Sequence, residues 1–216
     1  MLEIQNLNAS YGQAQALFDV SFQVPVGQMV LIQGLNGAGK STLLKSIMGL
    51  MADVSGHVMW QGHPLQLLPP HQRSALGLGY VPEDRRLFAA LTVRQNLEIA
   101  IPPSHPRNVK EPIGLDGVLD LFPALRNMLD RPAAQMSGGE QQMLALGRTL
   151  MTQAQMLLLD EPCEGISPVL VQAIAQALNR LKTQGMTLLI AEQNQVLSSL
   201  ADQVLQLASG TLVNGD

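Results

Sequence analysis

The sequence is short of several residue types, and each shortage excludes a class of structure. Cys163 is the only cysteine among 216 residues, so the chain forms no internal disulfide and no cysteine-based metal cluster. No apolar run approaches the roughly 20 residues that a membrane-spanning helix needs. The first residues, MLEIQNLNASYG, lack the basic and then apolar layout of a signal peptide. We therefore expect a cytosolic chain.

Charge is also scarce. Only 14% of the residues are charged, the formal net charge is −4, and no block of lysine or arginine occurs. Because general nucleic-acid binding requires a basic patch, we expect no nucleic-acid partner. The hydrophobic fraction of 46% excludes a disordered chain. It also leaves more apolar surface than a lone domain usually shows, which favours a protein partner.

The hydrophobic pattern predicts a mixed α/β fold in one domain of 216 residues. Apolar and polar positions alternate over the first thirty residues, as in half-exposed antiparallel strands. Continuous apolar runs at Met29–Ile32, Leu157–Leu159 and Leu188–Ala191 each precede a helical stretch, which is typical of buried parallel strands. The sequence thus predicts an antiparallel β layer ahead of a parallel α/β core.

A helical insertion is predicted at about residues 84–150. Thr92 and Gln95 form a candidate capping box there, and the stretch IPPSHPRN interrupts the pattern with three prolines. After the core strand at Leu157–Leu159, Ser167 is a candidate N-cap, Pro168 a first helical residue and Gly185 a helix end. The insertion and the later helix are therefore expected to flank that core strand.

A glycine-rich stretch, GLNGAGKST, follows the first buried run and leads into an apolar helix. Glycines let successive backbone N–H groups face phosphate oxygens, and the helix amino terminus adds a partial positive charge. The full pattern in this setting predicts a P-loop NTPase (RecA-like) core. The residues assigned to nucleotide binding are Gly34, Asn36, Gly37, Ala38, Gly39, Lys40, Ser41 and Thr42. Lys40 should meet the β and γ phosphates, and Ser41 should ligate Mg²⁺.

Two acids, Asp160 and Glu161, end the buried run MLLLDE. An aspartate at the tip of such a strand holds the magnesium shell in P-loop enzymes. We therefore assign Asp160 to the metal and Glu161 to orienting and deprotonating the attacking water. Taken alone, a strand that ends in two acids is commonplace. The P-loop upstream gives the pair its meaning.

The stretch MSGGEQQ, Met136–Gln142, carries a second signal. Ser137 with Glu140 three residues later predicts a capping box at the start of a helix. Ser137, Gly138 and Gly139 also expose N–H groups at that helix start, which makes a second anion site. This site is redundant unless it serves the nucleotide of another molecule.

In this order and spacing, GLNGAGKST, MSGGEQQ and LLLLDEP resemble the ATP-binding subunits of ABC transporters over essentially the whole chain. The resemblance implies ATP and Mg²⁺ as cofactors and two cassettes that meet head to tail. ATP then lies between one P-loop and the Ser137–Glu140 stretch of the other cassette. It further implies that the chain lies on the cytoplasmic face of the membrane, attached to transmembrane permease subunits, and makes no direct contact with the cargo. Tyr11 matches the aromatic residue that stacks on adenine, although an ordinary strand aromatic is the alternative.

Finer features resemble one branch, the ATP-binding subunits of branched-chain amino-acid importers and their urea and amide relatives. The stretches VPEDRRLFAALTVRQNLEI, SGGEQQMLALGRTL, DEPCEGISP and IAEQN have that character. Three positions differ from most cassettes: Glu83 replaces a glutamine near the metal, Gln193 replaces a catalytic histidine, and Ser167 replaces an aspartate. Gln193 can donate a hydrogen bond to the γ-phosphate but cannot carry an imidazolium charge.

Several interpretations stay open at this point. The chain is expected to drive import of branched-chain or hydrophobic amino acids, with a urea or amide importer as the alternative. A soluble ABC ATPase that acts outside transport and a mainly regulatory nucleotide-binding subunit belong to other classes. We expect a related but distinct partner cassette.

The roles of several single residues also stay open. Arg85 and Arg86 are either partner contacts or a solvated pair. Leu87, Phe88 and Leu91 either dock the permease or lie in the helical insertion, and Cys163 is interpreted as an apolar filler.

Overall fold

The computed structural model describes residues 1–102, 113–193 and 195–213. The strands are β1 Leu2–Tyr11, β2 Ala14–Val24, β3 Met29–Gln33, β4 Asp53–Trp60, β5 His63–Pro64, β6 Leu78–Val81, β7 Met156–Asp160, β8 Thr187–Glu192, β9 Gln203–Ala208 and β10 Thr211–Val213. The helices are α1 Lys40–Met48, α2 Pro70–Ala75, α3 Val93–Glu98, α4 Leu115–Leu121, α5 Gly138–Met151 and α6 Pro168–Thr183, with 3₁₀ turns at Pro123–Met128, Ala133–Gln135 and Gln195–Leu197.

The amino-terminal strands form an antiparallel sheet in the order β2-β1-β4-β5. Leu2 of β1 lies opposite Val24 on one side and Trp60 on the other. All three side chains are buried on the face that points to the core. The predicted period-2 alternation holds within parts of β1 and β2, and it is interrupted between Ile4 and Leu7, where the pairing with β2 shifts register.

The core sheet has the order β10-β9-β3-β8-β7-β6, in which β10 alone is antiparallel to its neighbour. Its central strands are buried on both faces. Met29 and Leu31 pack with the helices between β6 and β8, whereas Val30 and Ile32 pack with α1 and the antiparallel sheet. This double burial is the reason that the predicted parallel strands are continuous apolar runs.

The carboxyl ends of the parallel strands meet at one edge of the core sheet. Gln33 is in register with Glu192, and Asp160 is in register with Ala191. The P-loop leaves β3 at this edge, and Glu83 follows β6 at the same edge. Ligands of open α/β sheets bind where strands end in this way.

Helices α3, α4 and α5 lie between β6 and β7, inside the region for which the sequence predicts a helical insertion. Both predicted capping boxes are present: the Thr92 N–H donates to Gln95 Oε1 at 2.9 Å, and the Ser137 N–H donates to Glu140 Oε2 at 2.7 Å. Most of the proline-rich stretch IPPSHPRN lies outside the described residues.

The predicted start of α6 is confirmed, although it lacks a side-chain cap. Ser167 occupies the N-cap position and Pro168 begins the helix, as predicted, but the Ser167 side chain makes no capping hydrogen bond. Pro168 at the first helical position has no N–H to satisfy.

Among the helices within the described ranges, none combines the length and the apolar character needed to cross a membrane.

Candidate functional site

The P-loop connects β3 to α1 through backbone that requires glycine. Gly39 has a φ of 105°, in the left-handed region that side chains disfavour. A Cβ atom at Gly34 would lie 2.3 Å from the Leu207 carbonyl oxygen. The start of the loop therefore packs tightly against β9, and α1 begins at Lys40 with its first N–H groups directed toward the loop.

Lys40 is buried, with 4% of the residue exposed, and its ammonium group has three partners. Its ammonium donates to the Gly34 carbonyl at 2.8 Å and to the Leu35 carbonyl at 3.3 Å. It also forms an ion pair with Glu161 Oε1 at 2.8 Å. Because an ammonium has three N–H donors, these three contacts occupy all of them. A phosphate that binds in the loop must displace at least one of them.

Asp160 ends β7 beside the P-loop helix. Ser41 Oγ donates to Asp160 Oδ1 at 2.8 Å, and the Tyr80 hydroxyl donates to Asp160 Oδ2 at 3.1 Å. Burial raises the pKa of Asp160, while the two hydrogen bonds oppose that rise. Burial and the neighbouring Asp160 also raise the pKa of Tyr80, which keeps its hydroxyl a donor.

Glu161 follows Asp160 in a strained conformation. Its φ is 49°, and its N–H donates to the Ala191 carbonyl of β8 at 2.8 Å. A non-glycine residue in this region costs free energy, and such strain is typical of functional positions. The turn points the carboxylate away from the sheet and onto Lys40. The predicted general base and the predicted phosphate-binding lysine are thus in direct contact.

A cavity of about 640 Å³ lies over the P-loop. Its lining includes Tyr11, Lys40, Glu83 and Glu161. Tyr11 is 54% exposed, and its hydroxyl lies 3.4 Å from Thr42 Oγ1. The exposed ring lies at the rim of the loop, at the end of β1, and stacking on adenine stays a prediction.

An adjoining cavity of about 580 Å³ contains Gln193 and Glu161 together. Gln193 directly follows β8, as predicted. Cys163 also lines this cavity, and its backbone N–H donates to Glu192 Oε1 at 2.8 Å. Burial and the neighbouring Glu192 raise the pKa of the Cys163 thiol. The raised pKa supports the interpretation that Cys163 is an apolar filler and not a nucleophile.

The Ser137–Glu140 stretch lies at the start of α5, away from the P-loop. None of its residues is among the described residues that line the cavity over Lys40. A Cβ atom at Gly139 would lie 2.2 Å from the Leu170 side chain, so this glycine lets α5 and α6 pack closely. The structure therefore does not bring Ser137, Gly138, Gly139 or Glu140 to the nucleotide site of their own chain.

Comparison with known proteins agrees with this geometry. The family model described as "ABC transporter" matches residues 17–164. The branched-chain amino acid transport ATP-binding protein BraG of Pseudomonas aeruginosa is 41% identical, covering 100% of this chain and 92% of that protein. The probable branched-chain amino acid transport ATP-binding protein LivF of Archaeoglobus fulgidus is 41% identical over 97% of this chain and 89% of that protein. A crystal structure of a nucleotide-free ATP-binding cassette from an ABC transporter, 28% identical, superposes with a TM-score of 0.85 over 99% of this chain and 90% of that one.

This chain belongs to the ABC transporter family. It has the P-loop NTPase fold that the sequence predicts, and it is an ATP-binding cassette of a family that hydrolyses ATP. The ABC resemblance found in the sequence is confirmed.

The residues present fit a magnesium ion that accompanies ATP. Mg²⁺ is usually bound by one or two carboxylates, a hydroxyl and phosphate oxygens. In this ABC cassette the Ser41 hydroxyl and the Asp160 carboxylate already lie 2.8 Å apart. Glu83 lines the same cavity and its charge acts on Asp160. The donor set therefore suits a hard cation.

Sequence reasoning missed two residues of this site. Tyr80 donates to Asp160 from the neighbouring strand β6, and a tyrosine in a buried strand signals that its hydroxyl has a partner. Glu164 lines both cavities beside Glu161. Burial and the charge of Glu161 raise the pKa of Glu164. Its position three residues after the predicted general base, Glu161, was the available signal.

Proposed function

We propose that this ABC cassette hydrolyses ATP to drive the import of branched-chain or other hydrophobic amino acids. The two relatives that are 41% identical are both described as branched-chain amino acid transport ATP-binding proteins. One structural observation carries the ATPase assignment: Lys40 contacts Glu161 and Ser41 contacts Asp160, which joins the P-loop to the acidic end of β7.

ATP binding is the first step of the proposed mechanism. Tyr11 stacks on adenine at the rim of the cavity, where base stacking contributes roughly 1 to 3 kcal/mol. The N–H groups from Gly34 to Thr42 receive the phosphates. Lys40 then exchanges Glu161 for the β and γ phosphate oxygens, because those oxygens carry more negative charge. The exchange leaves the Glu161 carboxylate free.

Hydrolysis follows from the freed carboxylate. A water oxygen attacks the γ-phosphorus, its proton passes to Glu161, and the bond to the β-phosphate oxygen breaks so that ADP leaves. The Gln193 amide donates to a γ-phosphate oxygen. Ser41, Glu83 and Asp160 would hold Mg²⁺, which would neutralise part of the phosphate charge when bound. The chain contributes the fixed positions of these groups.

The Ser137–Glu140 stretch is proposed to act on the nucleotide of a second cassette. None of its residues is among the described residues that line the P-loop cavity of its own chain, which supports this role. We propose that residues 1–216 work as one cassette with a helical subdomain at about 84–150. Because Gln193 and Ser167 replace residues that favour fast hydrolysis, a related but distinct partner is proposed to complete one stronger site.

The cassette pair is proposed to sit on the cytoplasmic face of transmembrane permease subunits, without contact to the cargo. Phe88, which is 50% exposed, and its exposed neighbours Ala89 and Ala90 are the proposed docking surface. Leu87 instead packs on the helical core. Of Leu87, Phe88 and Leu91, which the sequence analysis considered together, only Phe88 is exposed, whereas Leu87 and Leu91 are half-buried.

The test is to purify the assembled complex from membranes and count its chains by native mass. We expect one copy of this chain, one related cassette and two permease subunits. Two copies of this chain and no second cassette would overturn the heterodimer. Absence of any membrane protein would overturn the transporter assignment.

Reconstitution in liposomes then identifies the cargo. We expect ATP-dependent uptake of leucine, isoleucine or valine, and none with the Glu161→Gln variant. Uptake of urea or a short amide in place of these amino acids would assign the complex to the other substrate class.

A further inference from the structure

The loop between β6 and α3 has an unusual backbone. Arg85 and Arg86 are consecutive non-glycine residues with φ values of 59° and 47°. Both lie in the left-handed region, which costs free energy that other contacts must offset. The two side chains differ in their surroundings. Arg86 is exposed and pairs with Asp84 on the surface, whereas Arg85 turns inward.

Arg85 is held by the first turns of α5. Its guanidinium donates to Gln142 Oε1 at 3.1 Å and to Gln141 Oε1 at 3.3 Å. Gln142 is 2% exposed and Arg85 is half-buried, so the contact is partly shielded from solvent. A Cβ atom at Gly138 would lie 3.4 Å from the guanidinium nitrogens. In the part of the chain that the structure describes, no carboxylate forms an ion pair with Arg85. The solvated-pair interpretation therefore holds for Arg86 and is wrong for Arg85.

The same loop is attached to α5 at a second point. Arg148 Nη2 donates to the Arg85 carbonyl at 3.2 Å, and the Arg148 guanidinium carbon lies 5.4 Å from the centre of the Phe88 ring. Both backbone groups of Phe88 are bound by the side chain of Asn96, each at 3.0 Å. Asn96 is fully buried. Arg148 thus contacts both the Arg85 backbone and the Phe88 ring, and Asn96 holds the Phe88 backbone to α3.

We propose that Arg85 is a positioning residue that couples the Phe88 surface to the amino-terminal turn of α5, where Ser137 and Gly138 lie. A displacement of the loop moves the guanidinium, and the guanidinium moves Gln141 and Gln142 with the helix start. This link sets how strongly permease contact stimulates ATP hydrolysis. The inference rests on the proposed docking at Phe88, and the experiment separates the two.

The measurement is the ratio of cargo-stimulated to basal ATP hydrolysis in the complete complex, reconstituted in lipid. Arg85→Met keeps an unbranched apolar stem and removes the guanidinium with its donors, and Arg86→Met is the matched control. We expect Arg85→Met to lower the ratio about fivefold, the range in which a single link modulates coupling. Arg86→Met should leave it unchanged. The affinity of the isolated Arg85→Met chain for ATP should also stay the same, because Arg85 is not among the described residues that line the P-loop cavity.

Two further variants distinguish a fork of hydrogen bonds from a simple charge. Arg85→Lys keeps the positive charge but loses the planar pair of donors. We therefore expect it to lower the ratio of cargo-stimulated to basal hydrolysis as Arg85→Met does. It also carries the test if Arg85→Met does not fold. Gln142→Leu should lower the ratio by itself, and the double variant with Arg85→Met should lower it no further, since both changes break one link.

The outcomes are separable. If the complex with the native chain forms but shows no stimulation, or does not form, the proposed function fails. If the native complex is stimulated and Arg85→Met equals Arg86→Met, the coupling role of Arg85 is overturned. Full recovery by Arg85→Lys, or additive effects of Arg85→Met and Gln142→Leu, would overturn it as well.

Discussion

Lys40 and Glu161 form an ion pair of 2.8 Å in which 3% and 9% of the two side chains are exposed. The pair joins the residue that is proposed to bind phosphate to the residue proposed to accept the proton of water. Each group therefore blocks the other until a nucleotide arrives. A buried charge pair of this kind is sensitive to the loss of one partner, because the remaining charge has lost its compensation.

The first prediction concerns Glu161→Gln. The amide keeps the shape of the side chain but cannot accept a proton, so hydrolysis should fall about 100-fold to 10,000-fold. ATP binding should persist or tighten, because Lys40 no longer has a competing carboxylate. Steady-state hydrolysis and equilibrium binding of a fluorescent ATP analogue measure the two effects.

Two variants accompany that measurement. Lys40→Ala should weaken ATP binding about tenfold or more, since charge-assisted hydrogen bonds to phosphate are lost. Asp84→Asn removes an exposed acid outside the cavities and should change neither quantity. Rapid hydrolysis by Glu161→Gln would remove Glu161 from the role of base.

The second prediction concerns Gln193. A glutamine has no titration near neutral pH, so the hydrolysis rate of the isolated chain should show no inflection near the imidazole pKa of about 6.5. The described histidines His57, His63 and His71 lie on β4, β5 and α2, outside the residues that line the two cavities. His105 lies outside the described residues.

Gln193→His should introduce that inflection, because the imidazole would share the cavity with Glu161. The pH dependence of kcat between pH 5.5 and 8.5, recorded for both chains without a partner cassette, makes the comparison. An inflection already present with the native chain would show that another group titrates in the site.

Local sequence features predicted the positions of most site residues. The P-loop, the acids after β7 and the capping box at Ser137 depend on neighbouring residues, so their geometry follows from short stretches of chain. Contacts between distant residues were not predictable in the same way. Tyr80 meets Asp160 across 80 residues of sequence, and Arg85 meets Gln142 across 57. These contacts depend on strand order and on how α5 packs, which no local pattern encodes.

The structure also shows where a local rule was incomplete. The sequence around Ser167 predicts a helix start, and α6 does begin at Pro168. The side-chain hydrogen bond that usually accompanies an N-cap serine is absent there. Proline already fixes the backbone of the first helical residue. A serine can therefore occupy the N-cap position without making the side-chain hydrogen bond that usually accompanies it.

The third prediction concerns Arg73, a cation that is 6% exposed. Its guanidinium donates to the Ser46 carbonyl at 3.0 Å, the Ile47 carbonyl at 2.7 Å and the Leu68 carbonyl at 2.7 Å. Two of these carbonyls belong to the last turn of α1, whose negative dipole end favours a cation. Arg73 therefore stabilises the helix that carries the P-loop.

Arg73→Met should lower the free energy of unfolding by about 2 to 4 kcal/mol, because buried carbonyls lose their donors. Arg73→Lys should cost less, since one ammonium can still reach part of the set. The exposed control Arg86→Met should cost less than about 0.5 kcal/mol. Urea unfolding of the three variants gives the values, and equal costs for Arg73→Met and Arg86→Met would refute this role.

The fourth prediction concerns the pH dependence of stability through Asp202. The Met29 N–H donates to Asp202 Oδ2 at 2.8 Å, and Lys182 donates to Asp202 Oδ1 at 3.1 Å. The hydrogen bond from Met29 is the main cause that lowers the pKa of Asp202. A carboxyl group with a lowered pKa in the folded state stabilises the protein above the unfolded pKa of about 3.9. That contribution is lost as the pH falls through the folded pKa.

Asp202→Asn keeps the shape and removes this dependence. At pH 7 the variant should be less stable by roughly 1 kcal/mol or less, since the side chain of Asp202 is 37% exposed and solvent screens its charge. The difference between the two chains should stay constant from pH 7 to about 5 and shrink below about 4. Urea unfolding midpoints measured along this range test it, with Asp84→Asn, an exposed acid paired with Arg86, as the control. A difference that grows as the pH falls would contradict the sign of the Asp202 shift and assign the acid sensitivity to another carboxyl group.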